Sequence, residues 1–335
     1  MRKTGRGILF GLLAALPVFC FWPAAAQDRV FSRKAAALYS VLPDLKSCRP
    51  GVLAAMESQR ALDTLNAIRA LHGLSSVAYD ASADDAVMRI SLMIAVNKRV
   101  SHVPSQEWSC YTPDGYLAAQ TSNLGGGFAS ALIFRSVEDY VTGWLTEVRS
   151  GLPDSIGHRR WLLDPFLRKI AYGRVAGILD EESVDGAAIR ISYPQDVYST
   201  DFKEGFVSYP FQDYPEKFYQ DGAMLSFSVV ASKDSLAANQ NVNFADALVT
   251  VMRNGQTLPT YGLPNNIQFR AGKLVRGALY SVAISGVMVG GERRDYNYWF
   301  RIVSSPEVGT GKSRAWKAKP SSSPAPRRAL VKLPR

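Results

Sequence analysis

The segment RSVEDYVTGWLTEVRSGLPDSIGHRRWLLDP, residues 135–165, is the part of the chain that says most about the fold. Its apolar side chains recur at the three- and four-residue spacing of one buried helical face; they are Val137, Tyr140, Val141, Trp144, Leu145 and Val148. Ser136, with Asp139 three residues later, predicts the helix start, because a short oxygen side chain caps free backbone N–H groups. Gly151 and Pro153 predict its end.

A carboxylate and an imidazole lie around the end of this predicted helix. Glu147 is one turn beyond Trp144, and His158 follows the break. His102 lies in a proline-containing loop, SHVPSQEWSC, after an earlier predicted helix. His72 is interpreted as structural, because an imidazole at a helix end can face the backbone carbonyls there. The candidate site therefore consists of His102, Glu147 and His158.

Two kinds of site fit these three residues. Two imidazoles and a carboxylate are able to hold a zinc ion, with water completing the coordination. They are equally able to form a hydrogen-bonded polar network that lines a cleft without any metal. The spacing does not decide between the two, because the compact H-x-x-x-H helical motif is absent.

The formal net charge of +10 is concentrated at the two ends of the 335-residue chain. Residues 1–26 contribute +3 and residues 308–335 contribute +8, so the rest of the chain has a net charge of −1. Nucleic-acid binding needs a concentrated basic patch on the folded surface. We therefore expect no nucleic-acid partner.

The N-terminus predicts export. A basic start, MRKTGR, precedes an apolar run and three small residues, Ala24 to Ala26, which is the pattern of a cleaved signal peptide at 1–26. An uncleaved anchor is the alternative. Export places Cys48 and Cys110 in an oxidising setting, where we predict that they form a disulfide. The expected location is periplasmic, cell-envelope or extracellular.

The rest of the pattern predicts an α+β fold in two domains. Residues 27–56 are an N-terminal extension with a helix, and amphipathic helices follow from Glu57 and from Ser82. A glycine-rich connection (115–130) leads to the helix after Ser136, and two antiparallel strands follow Pro165. Residues 201–222 are predicted to be a linker. Short β runs separated by turn signals at 223–305 predict a small immunoglobulin-like β-sandwich.

The last segment, residues 306–335, is basic, rich in Ser, Pro and Ala, and without periodicity. This composition predicts a disordered tail. The simpler interpretation is a solubilising tail. The alternative is an electrostatic tether to an anionic envelope surface.

The order of these motifs resembles the CAP superfamily, also called SCP domains. The matching pieces are LNAIRALHGLSSVAYDASADDAV, Ser101-His102, SNLGGG at 122–127, VTGWLTEV at 141–148 and GHRRWLLDP at 157–165. The resemblance implies a CAP domain at 57–200 with an α–β–α sandwich and a cleft lined by two histidines and two acidic residues. A C-terminal β-sandwich is similar to the bacterial branch of the family.

Carried over by motif, His102 and His158 match the two histidines and Glu147 the second acid. Ser122, followed by Asn123, stands where the first acid is expected. Losing that carboxylate removes a partner for an imidazole and a general base. A serine hydrolase is disfavoured, because no G-x-S-x-G motif is present.

The resemblance implies a non-enzymatic binding module at the cell envelope or outside the cell. Its expected ligand is a lipid, a glycan or a divalent ion such as zinc, held by His102 and His158. The enzymatic alternative is a hydrolase, for example a peptidase, that uses His102, His158 and Glu147.

Overall fold

The structure is a computed structural model, and it describes residues 24–148, 155–192, 198–203, 205–263 and 267–304. Nearly all of the predicted signal peptide, the whole predicted tail at 306–335, and Gly151 and Pro153 lie outside these ranges. No helix among the described residues is both long and apolar enough to cross a bilayer.

The first half of the chain is a three-layer arrangement of helices around one sheet. Its elements are α1 (Ala24–Ala36), β1 (Tyr39–Val41), β2 (Val52–Leu53), α2 (Ala55–Leu71), β3 (Ala78–Tyr79), α3 (Asp84–Asn97), α4 (Pro113–Gln120), β4 (Ser122–Ala129), α5 (Val137–Thr146), α6 (Gly157–Leu162), β5 (Lys169–Leu179) and β6 (Glu182–Ser192). The central sheet has the order β3-β5-β6-β4, with β3 parallel to β5 and the other pairs antiparallel. The expected α–β–α sandwich is confirmed.

The backbone of α3 lies directly on one face of this sheet. A Cβ added to Gly186 would lie 2.2 Å from the carbonyl oxygen of Ser91, and one on Gly173 would lie 2.5 Å from that of Val87. Only glycine permits so close an approach of a helix to a strand. The other face of the sheet packs against α2, α5 and α6 in a continuous apolar core.

The predicted helix after Ser136 is α5, and its start is as the sequence indicates. The hydroxyl of Ser136 accepts from the backbone N–H of Asp139, and the Asp139 carboxylate accepts from the N–H of Ser136, which completes a capping box. Its buried face contains the expected apolar residues as far as Leu145. The helix ends at Thr146, so Val148 lies just beyond it.

The glycine-rich segment 115–130 is not the connection that the sequence predicts. It contains most of α4 and the whole of β4, an eight-residue strand paired along its full length with β6. A Cβ on Gly125 would lie 3.0 Å from the Tyr140 ring. The absence of a side chain at Gly125 therefore allows close packing under α5, whereas the glycine run in the sequence predicts part of a connection.

The N-terminal extension contains more than the predicted helix. Phe31 of α1 is buried in the core, and the carboxylate of Asp28 accepts from the Ala131 N–H and the Ser183 hydroxyl. The hairpin β1–β2 follows, and a disulfide between Cys48 and Cys110, the pair predicted from the sequence, joins this region to the loop after α3.

The C-terminal region consists of two packed sheets. Its elements are β7 (Phe206–Tyr209), β8 (Gln212–Pro215), β9 (Leu225–Val229), α7 (Leu236–Gln240), β10 (Leu248–Arg253), β11 (Gln256–Leu258), β12 (Tyr261–Leu263), β13 (Ile267–Arg270), β14 (Tyr280–Val289) and β15 (Glu292–Val303). The orders are β11-β10-β14-β15-β8 and β12-β13-β9-β7. Aromatic contacts such as Phe227 with Tyr298, 6.1 Å between ring centroids, join the two sheets.

The segment predicted as a linker, 201–222, contributes a strand to each of these sheets. β7 pairs with β9, and β8 pairs with β15. Each strand has only four residues, and a run so short and so rich in aromatic residues shows no clear period-two alternation. The segment also contacts the first half of the chain, because Tyr214 packs against His72.

A buried ion pair lies under α5. Arg174 on β5 and Asp185 on β6 form two hydrogen bonds, with N···O distances of 2.9 and 2.7 Å, and both residues are almost fully buried. Burial alone would lower the pKa of Arg174, but Asp185 raises it well above its ordinary value. The guanidinium also lies 4.9 Å from the centroid of the Tyr140 ring. This pair connects the central sheet to α5.

We expect Asp185→Asn to lower the free energy of unfolding by about 3–5 kcal/mol, because it leaves the Arg174 charge buried without its counter-ion. Urea denaturation measures the change. The matched control is Asp213→Asn, which breaks the exposed two-bond pair with Arg301 and should cost about 1 kcal/mol or less. Equal losses in the two variants would contradict the expectation.

Candidate functional site

His102 is held by a backbone carbonyl at its δ nitrogen. Its loop follows α3 and is anchored by Asn97, whose side chain exchanges two hydrogen bonds with the backbone of Ser109. The His102 Nδ1 lies 2.7 Å from the carbonyl oxygen of Ala119, so Nδ1 carries the proton and donates to it. The ring is exposed and meets Trp161 edge-on at 6.4 Å.

Glu147 is a buried carboxyl with one occupied oxygen. It follows α5 in a left-handed conformation, with φ of 53°, which turns the chain toward α6. Its Oε1 accepts from the backbone N–H of Arg159 at 2.8 Å, whereas Oε2 is buried without a hydrogen-bond partner. Burial raises the pKa of Glu147 to about 7, although the Arg159 N–H and guanidinium act to lower it.

His158 lies beside Glu147 and within electrostatic range of His102. Its Nδ1 is 4.0 Å from Oε2 of Glu147, and its side chain is about one-quarter exposed, at 24%. Burial, together with a smaller electrostatic effect of His102, lowers the pKa of His158 to about 4. His158 is therefore neutral at pH 7, and its Nε2 lies on the side of the ring away from Glu147.

The start of β4 places Ser122 and Asn123 on opposite faces of the sheet, because side chains alternate along a strand. Asn123 shares the face of Gly125, under α5, and its Nδ2 donates to the backbone carbonyl of His158 at 3.1 Å. Ser122 shares the other face with Leu124, which packs with the core that contains α3. Its hydroxyl is buried and has no hydrogen-bond partner.

The structure thus places Glu147 and Asn123 against the segment of His158, places His102 beside Trp161 of the same helix, and puts Ser122 on the α3 side of β4. Among the residues that the structure describes, no three His, Cys, Asp or Glu side chains are grouped closely enough to hold a metal ion. The cleft offers two imidazoles and a buried carboxyl.

Thr146 is a residue that the sequence did not single out. Its Oγ1 is buried without a hydrogen-bond partner, as are Oε2 of Glu147 and Oδ1 of Asn123. Buried polar atoms without partners are rare because each costs about 1–3 kcal/mol. The sequence does not indicate that the Thr146 hydroxyl lacks a partner, because a threonine hydroxyl at a helix end can equally bond to a carbonyl of the preceding turn.

Arg159 is the second residue that sequence reasoning missed. It is buried, and burial lowers the pKa of its guanidinium. Its side chain donates to the carbonyl oxygens of Leu145, Thr146 and Met224 and to the Ser226 hydroxyl. Backbone carbonyls are present at every residue, so no sequence pattern indicates them as acceptors for an arginine.

His72 has the structural role predicted for it, in different surroundings. It ends α2, but its imidazole is buried and Nε2 lies 3.3 Å from the Tyr214 hydroxyl. Burial lowers its pKa to about 3, so it stays neutral. It belongs to the contact with β8 and has no part in the cleft.

The raised pKa of Glu147 makes stability depend on pH. Its pKa is 4.5 when unperturbed and about 7 in the fold, so its contribution is complete below pH 4.5 and is lost as pH rises through 7. We expect the free energy of unfolding of the wild type, relative to Glu147→Gln, to fall by up to about 3 kcal/mol between pH 4.5 and pH 8. Gln keeps an Oε1 acceptor for the Arg159 N–H. Urea denaturation across this range checks the expectation, and parallel curves for the two proteins would contradict it.

Comparisons with known proteins identify one family. Residues 62–177 match the family model described as "CAP: Cysteine-rich secretory protein family". No curated protein matches the chain significantly. Among solved structures, an extracellular protein containing a SCP domain from Bacillus anthracis str. Ames is 20% identical, with 41% of each chain covered and a TM-score of 0.25. This chain therefore spans about two-fifths of that protein's length.

A second solved structure, MpPR-1i, is 12% identical to this chain, with 44% of this chain and 93% of MpPR-1i covered and a TM-score of 0.27. The family assignment rests on the match to the family model and on the α–β–α sandwich with its histidine cleft. The chain therefore contains a domain of the CAP family, which the match places at residues 62–177.

Proposed function

We propose that this chain is an exported, non-enzymatic binding protein whose CAP cleft holds a divalent cation such as Zn²⁺ between His102 and His158. One observation carries the proposal. The Nδ1 of each imidazole faces an oxygen: the Ala119 carbonyl accepts from His102 at 2.7 Å, and Oε2 of Glu147 lies 4.0 Å from His158, longer than a hydrogen bond. Metal-binding histidines commonly have a carbonyl or carboxylate on the side of Nδ1, which orients the ring and directs Nε2 to the metal.

The electrostatics of the cleft support the same ligand. His158 is neutral at pH 7 because its pKa is lowered to about 4, so its Nε2 lone pair is available to a cation. Glu147 lies on the Nδ1 side of His158, and a cation bound at Nε2 would favour the ionised form of its carboxyl. The pair therefore suits a positively charged ligand better than an anionic one.

The residues fit an exchangeable ion rather than a permanent one. A structural zinc ion has four protein ligands and a catalytic one usually three, whereas this cleft offers two imidazoles. Ser122 lies in the place of the missing acid and turns its hydroxyl to the α3 side. The remaining coordination positions would be open to water or to a lipid or glycan oxygen, so the ion is a means of capturing such a ligand.

Hydrolysis is the second candidate, and one observation favours it. A carboxyl whose pKa is about 7 beside an imidazole is suited to proton transfer at neutral pH. Against it, the expected first acid is replaced by Ser122. A peptide and ester library should show no turnover above that of the His102→Ala/His158→Ala variant, and turnover that depends on both histidines would favour the hydrolase.

Export is supported by the family and by the cysteine pair. Disulfides persist in oxidising compartments, and Cys48 and Cys110 are joined in this fold. An N-terminal sequence that begins near Gln27 in protein recovered from the producing cell would support export.

Zinc titration by calorimetry tests the proposed ligand. The wild type should bind about one Zn²⁺ per chain, and His102→Ala/His158→Ala should release no specific heat. Glu147→Gln should bind about tenfold more weakly, because it weakens the partner of His158. Glu107→Ala is the control, since it removes an exposed carboxylate from the His102 loop and should leave binding unchanged. Equal heats for the wild type and the double variant would refute the proposal.

A further inference from the structure

We propose that Arg159 is a positioning residue through which the C-terminal β-sandwich fixes the geometry of the CAP cleft. The inference assigns a role to the sandwich, and it rests on the proposed function only in that zinc affinity is one of its two readouts.

On the sandwich side, Arg159 is held by three residues. Its Nη1 donates to the Met224 carbonyl at 2.7 Å and to the Ser226 hydroxyl at 3.1 Å, at the start of β9. Its guanidinium carbon lies 4.0 Å from the centroid of the Tyr209 ring, at the end of β7. β7 and β9 are adjacent strands, and Tyr209 pairs with Ser226 in their register.

On the cleft side, the same residue reaches the end of α5. Its Nε donates to the Leu145 carbonyl at 2.6 Å and its Nη2 to the Thr146 carbonyl at 3.2 Å. Its backbone N–H donates to Oε1 of Glu147 at 2.8 Å. These bonds satisfy carbonyls in the last turn of a helix that ends one residue before Glu147.

Arg159 therefore connects the two halves of the chain at the residue next to His158. A guanidinium has five N–H donors in one rigid plane. Because the same plane bonds to both α5 and β9, the position of one element restricts the position of the other. Its charge is buried among oxygens and an aromatic face, an environment that exists only when both halves are in contact. A shift of β9 would therefore change the position of His158 and Glu147.

A neighbouring contact keeps β7 and β8 in place against the CAP domain. Tyr209 donates to the carbonyl of Phe218 at 3.0 Å, and its ring stacks on His72 with centroids 6.4 Å apart. Tyr214 packs edge-on against Tyr209, at 5.3 Å. The aromatic surface under the guanidinium is thus part of the core, and it is not a mobile side chain.

Substitutions in the sandwich, outside the cleft, test this role. Ser226→Ala removes one acceptor, and Tyr209→Leu removes the ring under the guanidinium. Ser228→Ala is the matched control, because Ser228 lies two residues along the same strand and is exposed. We expect zinc affinity to fall about fivefold in Ser226→Ala and about tenfold in Tyr209→Leu, and to stay unchanged in Ser228→Ala.

The second readout does not require zinc. The ¹⁵N signals of the His158 imidazole, measured by NMR at pH 7.5 without metal, should shift in Ser226→Ala and Tyr209→Leu but not in Ser228→Ala. Variants that lose stability yet keep wild-type affinity and wild-type imidazole signals would show Arg159 to be a purely structural contact and overturn the inference. If the wild type binds no zinc, the proposed ligand fails, and the NMR comparison alone decides the positioning role.

Discussion

The burial of one guanidinium makes the two halves of this chain a single structure. Arg159 is almost fully removed from water, and its donors reach oxygens on α5 and on β9. A charge buried in this way is tolerated only when its hydrogen bonds are satisfied together. The CAP domain and the sandwich must therefore pack correctly for either side of this contact to be stable. The apolar core agrees, since it continues from α2 and α5 into the strands β7, β9 and β15.

The elements that sequence patterns predicted are those with a strong period and a distinct start. The capping box at Ser136 and the amphipathic face of α5 are local features, so they could be recognised without any tertiary contact. β4 and the strands β7 and β8 depend on what packs on them. Glycine is needed at position 125 because the Tyr140 ring packs directly on it, and a four-residue strand is recognisable only from the strands that pair with it. Such information is absent from a short window of sequence.

The candidate site divides in the same way. The family motifs indicated His102, Glu147 and His158, because the resemblance implies those side-chain types at those positions. Thr146 and Arg159 lie inside the matched segments 141–148 and 157–165, but the burial of the Thr146 hydroxyl and the contacts of Arg159 depend on tertiary geometry that these motifs do not state. Asn123 and Ser122 are neighbours in the sequence, yet strand alternation sends them to opposite layers, and only Asn123 bonds to the His158 segment.

The contact of α3 with the sheet has a consequence for which parts of the fold can adjust. At Gly186 and Gly173, main chain meets main chain with no side chain between them to yield. That layer is rigid, because it can neither tilt nor slide without separating helix from strand. Structural adjustment near the candidate site must therefore come from the other side of the sheet, where Glu147 leaves α5 in a left-handed conformation. Variation among related chains should accordingly be tolerated around the end of α5 and resisted where α3 meets the sheet.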